Sequence, residues 1–428
     1  MVPPGPPWHH PSVLFDPLTV GSLTLQNRIL RSATHEGLAD ADGSPTARLA
    51  VRYAQLARGG VGAIVTGFAG VALAGKSVAL NMLMLDRDER VPAHRALVEG
   101  VHAQGTPIIA QLAHCGPQTR RAATGAAPVA PSAMRSRAFP DEVARALTDG
   151  EVSEVVEAFA AAADRARAAG YDAVELHAGH GYLLSAFLSP RTNRRTDRWG
   201  GNTEGRARIV TEILARIRRR LGDFPVLVKL NGHDGRRGGM RVDEAVRVAQ
   251  VLERAGCAAI EVSCGVYDDG FHTARCARLP AEAVFTWLHP FRAWPAPVRA
   301  LGRVLLPLAM RPARPLHGYN VAAAARIRAA VQLPVIAVGG LRARAEMEAV
   351  LARGDADAVA LCRPLIREPD LVARLRDGRQ EASRCTACGH CVVAFELEPL
   401  RCHDGRVRSA RPRAPALGDD QRGRQRSA

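Results

Sequence analysis

Residues 152–177, VSEVVEAFAAAADRARAAGYDAVELH, decide the fold. The stretch 152–169 is amphipathic and rich in Ala, Arg and Glu, and it stops at Gly170, a residue that accepts the left-handed turn at a helix end. The run 172–177 then reads as a short strand that is apolar along its length and polar at its tip. The same alternation recurs along the chain. Short apolar runs lie at 28–34, 62–67, 107–112, 172–177, 225–230, 258–263, 334–338 and 358–362, with helical stretches at 46–58, 205–221, 242–255, 321–331 and 343–353. Strands buried on both faces and separated by helices make parallel βαβ units, and eight units close most economically into a (β/α)8 TIM barrel. A doubly wound open sheet would carry a Gly-rich phosphate turn after its first strand, where this chain has Ser32-Ala33-Thr34-His35.

A length of 428 residues suits one such barrel with extensions. Apolar residues at 47% and charged residues at 23% exclude collagen-like, disulfide-miniprotein and wholly disordered chains. No stretch approaches about 18 uninterrupted apolar residues, and the opening MVPPGPPWHHPS lacks the layout of a signal peptide. The expectation is a soluble cytoplasmic protein with no membrane partner. A net charge of +16 would ordinarily suggest nucleic acid or an anionic surface. However, Lys76 and Lys229 are the only lysines among 58 basic residues, the arginines are scattered up to Cys402, and aromatics are scarce at 4%. These features favour a solvated Arg-rich surface over a nucleic-acid partner.

The expected organisation is a disordered N-terminus at 1–13, the barrel at 14–378, a cysteine-bearing extension at 379–404 and an Arg-rich disordered tail at 405–428. Residues 14–30 alternate around Val20-Gly21-Ser22 and read as a β-hairpin capping the barrel bottom. A long insertion after the sixth strand, about 268–319, carries Trp287, Phe291, Trp294 and several prolines. Following a strand's C-terminal end, it would cover the active face as a lid or a partner surface. Of nine cysteines, Cys115, Cys257, Cys264, Cys276 and Cys362 are dispersed and read as reduced, buried thiols. Cys385, Cys388, Cys391 and Cys402 are clustered at metal-like spacing.

Function in a barrel sits at the C-terminal strand ends. There the chain places Gln111-Leu112-Ala113-His114, the run Glu175 to Tyr182, Lys229-Leu230-Asn231, Gly339-Gly340 and Cys362-Arg363. His177 and His180 can aim two imidazoles at one point with Tyr182 close behind, a set suited to polarising a carbonyl and delivering a proton to a neighbouring carbon. Metal ligation by these histidines is the lesser reading, since only Glu175 stands near enough to complete a ligand set.

With these stretches in view, the chain resembles the old yellow enzyme family of FMN-dependent NADH:flavin oxidoreductases, in particular its bacterial 2,4-dienoyl-CoA-reductase-like branch. The matching stretches are Leu14 to Leu18 with Asn27-Arg28, Arg31-Ser32-Ala33-Thr34-His35-Glu36, Gln111 to His114, and His177-Ala178-Gly179-His180-Gly181-Tyr182-Leu183 continuing to Gly201. The resemblance implies that Ala33 and Thr34 meet the flavin edge near N5, that His35 lies beside O4, and that Gly67 and Gln111 contact the pyrimidine side. It implies that Lys229, standing for the more usual Arg, puts positive charge near N1, and that Gly339, Gly340, Cys362 and Arg363 hold the FMN phosphate. His177 and His180 would bind the substrate carbonyl, and Tyr182 would donate the proton. Gly205 stands where the family generally has Asn, which leads one to expect a looser helix start.

Cys385, Cys388, Cys391 and Cys402 resemble the iron-sulfur site that follows the barrel in dienoyl-CoA reductases and trimethylamine dehydrogenase, and four thiolates suit a 4Fe–4S cluster or Zn equally. The implied activity is hydride transfer from NAD(P)H through FMN to the activated C=C of a small enone or enoyl substrate. Nicotinamide or an electron-transfer protein would be the redox partner, and a homo-oligomer is compatible. Two rivals are an FMN/iron-sulfur amine dehydrogenase or demethylase, and a flavin-free barrel that binds metal or nucleic acid through the cysteines and the Arg-rich tail.

Overall fold

The computed structural model describes residues 13–288, 291–395 and 397–403. The expected disordered ends, 1–13 apart from Val13 and 405–428, lie outside these residues. The chain alternates β1 (Ile29–Arg31), α1 (Ala47–Arg58), β2 (Ala63–Val65), α2 (Val91–His102), β3 (Ile108–Ala113), α3 (Asp149–Ala168), β4 (Ala173–Ala178), α4 (Thr203–Leu221), β5 (Val226–Asn231), α5 (Val242–Arg254) and β6 (Ala259–Ser263). It continues through α6 (Ala281–Trp287), α7 (Ala296–Ala309), α8 (Val321–Arg328), β7 (Val335–Val338), α9 (Arg344–Ala352), β8 (Ala358–Leu361), α10 (Arg363–Arg367) and α11 (His390–Ala394). Neighbouring strands pair in parallel, and β8 pairs with β1 to close the barrel. Each strand lies on one of the eight expected runs.

Period-two alternation divides every strand between two cores. Leu30, Ala63, Ile109, Ala173, Leu227, Ala259, Ile336 and Ala358 fill the barrel interior. Their neighbours, among them Ile29, Ile64, Ala110, Val174, Val228, Ile260, Ala337 and Val359, face the surrounding helices. Two residues further up, the inward positions become Ser32, Gln111, Glu175, Lys229 and Glu261, all buried. The polar layer of the site is therefore set by register alone.

The hairpin forms as expected, Leu18–Val20 pairing antiparallel with Leu23–Leu25. Gly21 adopts φ +60, and a Cβ there would lie 3.4 Å from Ala258 Cβ and 3.5 Å from Pro225 Cβ, so the turn packs under the starts of β5 and β6. Val20, Leu23 and Leu25 join the interior cluster and plug the barrel bottom. Helix α3 begins three residues before the expected 152, because Thr148 accepts from the Glu151 amide and Glu151 reaches back to the Thr148 amide, a capping box. Helix α4 departs from expectation in another way. Its start is tight at Gly205: Asn202 Oδ1 accepts from the Gly205 amide at 2.8 Å, and a Cβ on Gly205 would sit 2.0 Å from the Gly200 carbonyl oxygen.

The insertion folds as helices. Gly302 of α7 lies over Phe285 of α6, where a Cβ would come 2.3 Å from the ring. Helix α6 also shares a core with α11, through Ala283, Val284, Phe285 and Trp287 against Val393 and Ala394. The cysteine-bearing extension thus packs on the insertion.

Leu25→Ala should lower unfolding free energy by about 2–5 kcal/mol, as expected for an unfilled core cavity. The exposed neighbour change Thr24→Ala should stay within about 0.5 kcal/mol. Denaturant titration of both variants, with unchanged m-values, checks the plug.

Candidate active site

Lys229 lies at the centre of the inward layer, 3% exposed. Its Nζ donates to Ser32 Oγ at 2.9 Å and lies 2.7 Å from Glu261 Oε1 and 3.7 Å from Glu175 Oε1. Ser32 Oγ donates to Glu261 Oε1 at 2.5 Å, and Gln111 Nε2 donates to Glu175 Oε1 at 2.6 Å. Burial raises the Glu175 carboxyl well above its ordinary value; Lys229 opposes the shift and Glu261 adds to it. Burial also pushes Glu261 up, but Lys229 and the surrounding hydrogen bonds bring it below the ordinary value. Lys229 is held charged by the two glutamates against the cost of burial. The layer is thus one ammonium, one carboxylate and one neutral carboxyl. Glu175 Oε2 and Glu261 Oε2 have no other donor among the described residues, and one proton shared between the two carboxyls satisfies both.

Above this layer the histidines form a directed chain. Gly179 N donates to His177 Nδ1 at 3.4 Å, which leaves the His177 proton on Nε2. That nitrogen lies 3.3 Å from His180 Nδ1, and His180 Nε2 lies 2.7 Å from Ser263 Oγ. His180 has φ +62, uncommon for a residue with a side chain; its amide donates to Asn231 Oδ1 at 3.1 Å. Burial holds both imidazoles neutral: His180 is lowered to about 3 and His177 well below 6.5, with Lys229 adding to each shift. Tyr182 stands edge-on to His177, ring centroids 4.9 Å apart, and meets Phe68 at 5.6 Å and Tyr267 at 6.4 Å. Phe139 stacks on Tyr267 at 5.9 Å, completing an aromatic wall.

The loops after β1 and β2 are tied together from beneath. Arg31 donates to the Thr34 carbonyl at 3.0 Å and pairs with Glu36. Tyr53 hydroxyl donates to Glu36 at 2.8 Å and accepts from the Gly67 amide at 2.9 Å. A Cβ on Gly67 would lie 2.1 Å from Glu36 Oε2 and 2.9 Å from the Thr34 carbonyl oxygen. Glycine is required there by the loop contact itself. His35 donates from Nε2 to the Leu80 carbonyl at 2.8 Å and stacks on Phe68 at 5.2 Å.

The sequence matches the model of the NADH:flavin oxidoreductase / NADH oxidase family over residues 13–270 and 300–382. The chain belongs to that family. It is 35% identical over 401 residues to an NADH oxidase of Thermoanaerobacter brockii, spanning 92% of this chain and 56% of the relative. It is 31% identical over 383 residues to 4,4'-dithiodibutanoate disulfide reductase of Rhodococcus erythropolis, spanning 89% of this chain and 92% of the relative. The solved structure of 2-naphthoyl-CoA reductase with 2-naphthoyl-CoA is similar at a TM-score of 0.77 and 25% identity, covering 91% of this chain and 56% of that one. The chain spans about half the length of the first curated relatives it matches.

An FMN phosphate, which the family implies, fits the residues present. Gly339 and Gly340 have φ +131 and +77, so successive amides open into a concavity of the kind that binds anions. Among the described residues the amides of Gly339, Gly340, Cys362 and Arg363 donate to no backbone carbonyl. The Arg363 side chain donates from Nη1 to the Arg275 carbonyl at 2.6 Å, and its guanidinium also borders the cysteine cavity.

That cavity brings Cys385, Cys388, Cys391 and Cys402 together with Arg363, Arg367 and Gly389. Burial raises the Cys388 thiol, but hydrogen bonds from His390 more than offset it and leave the group at about 7. Among the described residues no three His, Cys, Asp or Glu side chains converge as ligands of a single ion. Four thiols lining one cavity suit a 4Fe–4S cluster or Zn alike.

All the family-implied residues therefore stand at the C-terminal barrel face or its border. The sequence reading missed Glu261, Ser32, Phe68, Tyr267, Phe139 and Ser263. Counting two residues on from the interior alanines and leucines would have found Ser32 and Glu261; the aromatic wall comes from loops and left no periodic signal.

His35, His94 and His114, each lowered to about 4, and His177 and His180 are neutral in the fold because of burial. Only the unfolded chain protonates them just below the ordinary 6.5, so unfolding takes up protons there and stability falls as the pH drops. Each fully responding histidine should contribute about 1.4 kcal/mol per pH unit, with Glu175 offsetting one of them. Denaturation midpoints between pH 7 and 5 check this, and His94→Gln should flatten the slope.

Proposed function

We propose that this chain is an FMN-dependent oxidoreductase that takes electrons from NAD(P)H and reduces the activated C=C bond of a small enone or enoyl compound. The convergence of His177, His180 and Tyr182 above the buried charge layer carries the reading, and the likeness to 2-naphthoyl-CoA reductase supports it. FMN, when bound, would supply hydride transfer between the nicotinamide and the electron-poor carbon.

The remaining work belongs to the chain. The amides of Gly339, Gly340, Cys362 and Arg363 would hold the phosphate. Ala33, Thr34, His35, Gly67 and Gln111 would border the ring, with Lys229 near N1. The Lys229 charge is met by Glu261 at 2.7 Å, so the layer offers an oriented ammonium–carboxylate dipole.

His177 Nε2–H and His180 together bind the carbonyl oxygen. In the resting chain His180 Nδ1 accepts from His177, so donating to substrate needs its other tautomer. Ser263 allows the exchange, because a hydroxyl donates to Nε2 as readily as it accepts from it. Both imidazoles remain uncharged, which keeps them donors without releasing protons at neutral pH. Tyr182 delivers the proton to the carbon next to the carbonyl. Cys385, Cys388, Cys391 and Cys402 would hold a 4Fe–4S cluster that exchanges electrons with a protein partner.

A second reading has its own support. The relative matched along 92% of its length is a disulfide reductase, and the same hydride would reduce a disulfide to a thiol and a thiolate. Nicotinamide oxidation driven by cyclohexenone, set against 4,4'-dithiodibutanoate, separates the two.

The purified protein should show flavin bands at about 370 and about 450 nm; folded, colourless protein that refuses added FMN would overturn both readings. Tyr182→Phe should slow enone reduction about 100-fold or more while flavin binding and reduction by nicotinamide stay as in the wild type. Stopped-flow measurement of the two half-reactions checks it.

A further inference from the structure

Eleven large apolar side chains are exposed among the described residues, and seven of them fall between Trp294 and Met310. No residue of α7 is buried. With 3.6 residues per turn, Val298, Leu301, Val304, Leu305 and Leu308 fall within an arc of about 120°. Leu308 is 78% exposed and Val304 63%. The other side of α7 is the one in use, with Gly302 over Phe285 and Leu306 packed on the α6–α11 core. A continuous apolar stripe on an otherwise polar surface is a binding feature.

The charge around it says what binds. Between Glu282 and Glu346 the sequence contains no Asp or Glu and nine arginines. Arg326, Arg328 and Arg344 pair with Asp243, Asp357 and Glu348, whereas Arg299 and Arg303 on α7 donate only to the Arg292 carbonyl and the Thr286 hydroxyl among the described residues. His403 packs on Trp287 of α6 at 4.8 Å. The sequence that follows, 404–428, carries seven arginines against three aspartates. A second copy on this face would bring the arginines of α7 against each other, because α7 itself carries no acidic residue. An acidic protein would need a groove shaped to a helix flank. An anionic bilayer needs only an apolar stripe with cations beside it, and stable attachment takes two such signals together.

We infer that α7 is a membrane-surface helix that seats this protein on anionic lipid, its leucine stripe at the headgroup boundary and the arginines of the α6–α7 region against the lipid phosphates. No described helix is long and apolar enough to cross a membrane; the attachment is peripheral. Sequence reading gave no membrane partner, because the exposure of the stripe is a tertiary property. The inference is independent of the flavin reading.

Co-sedimentation of the full chain with vesicles of phosphatidylcholine alone, and of phosphatidylcholine mixed with phosphatidylglycerol, tests it. The wild type should sediment only with the mixed vesicles, and less as salt rises. Leu301→Gln with Leu308→Gln should reduce partition about tenfold or more and leave the melting temperature unchanged, since both side chains are more than half exposed. Arg299→Gln with Arg303→Gln is a second, independent variant and should weaken binding and its salt dependence. Wild-type protein that stays in solution with the mixed vesicles overturns the inference, whether it is monomeric, a dimer that the leucine changes disperse, or captured by an acidic protein. So does a leucine variant that is folded and binds as well as the wild type.

Discussion

Lys229 is 3% exposed between Glu261 and Glu175, and three ionisable groups in so small and dry a space coexist only because one of them keeps its proton. Removing one partner of such a set strands a buried charge at about 3–5 kcal/mol, whereas an apolar filling of the same volume is often no less stable. The layer is therefore a cost to the fold that only the chemistry above it explains. Its members arrive by a simple rule: the strands that fill the interior with Ile109, Ala173, Leu227 and Ala259 point inward again two residues later, at Gln111, Glu175, Lys229 and Glu261.

Much of this was legible in the sequence because buried parallel strands are written as short apolar runs with polar tips. The eight strands, the hairpin plug and the His177–Tyr182 run could be located from composition and spacing. What spacing could not convey is the environment that one segment provides for another. Lys229 was expected to bring positive charge near the flavin N1; spacing did not show that Glu261 stands 2.7 Å from it on the neighbouring strand. Gly205 was expected to loosen a helix start, yet the Gly200 carbonyl leaves no room for a larger residue. The helices of the insertion carry few strong boundary signals, and which face of α7 stays uncovered depends on partners distant in sequence.

The histidine pair shows how a neutral site keeps options open. Each imidazole has one proton and two nitrogens, and the chain from Gly179 through His177 and His180 to Ser263 assigns every one of them. Only the last link can be reversed, because a serine hydroxyl is both donor and acceptor. Reorganisation on binding is thereby confined to one ring and one hydroxyl. The tied loops under Thr34 and Gly67, held by Arg31, Glu36 and Tyr53, keep the opposite wall still while this happens.

Val393 and Ala394, close behind the cysteines, complete the core of a helix that belongs to the insertion. Neither piece has a full interior without the other. Descendants of this chain are not free to trim the helical arm while retaining the thiols, or to discard the thiols while retaining the arm. The two are heritable as a unit, although more than eighty residues separate their first members.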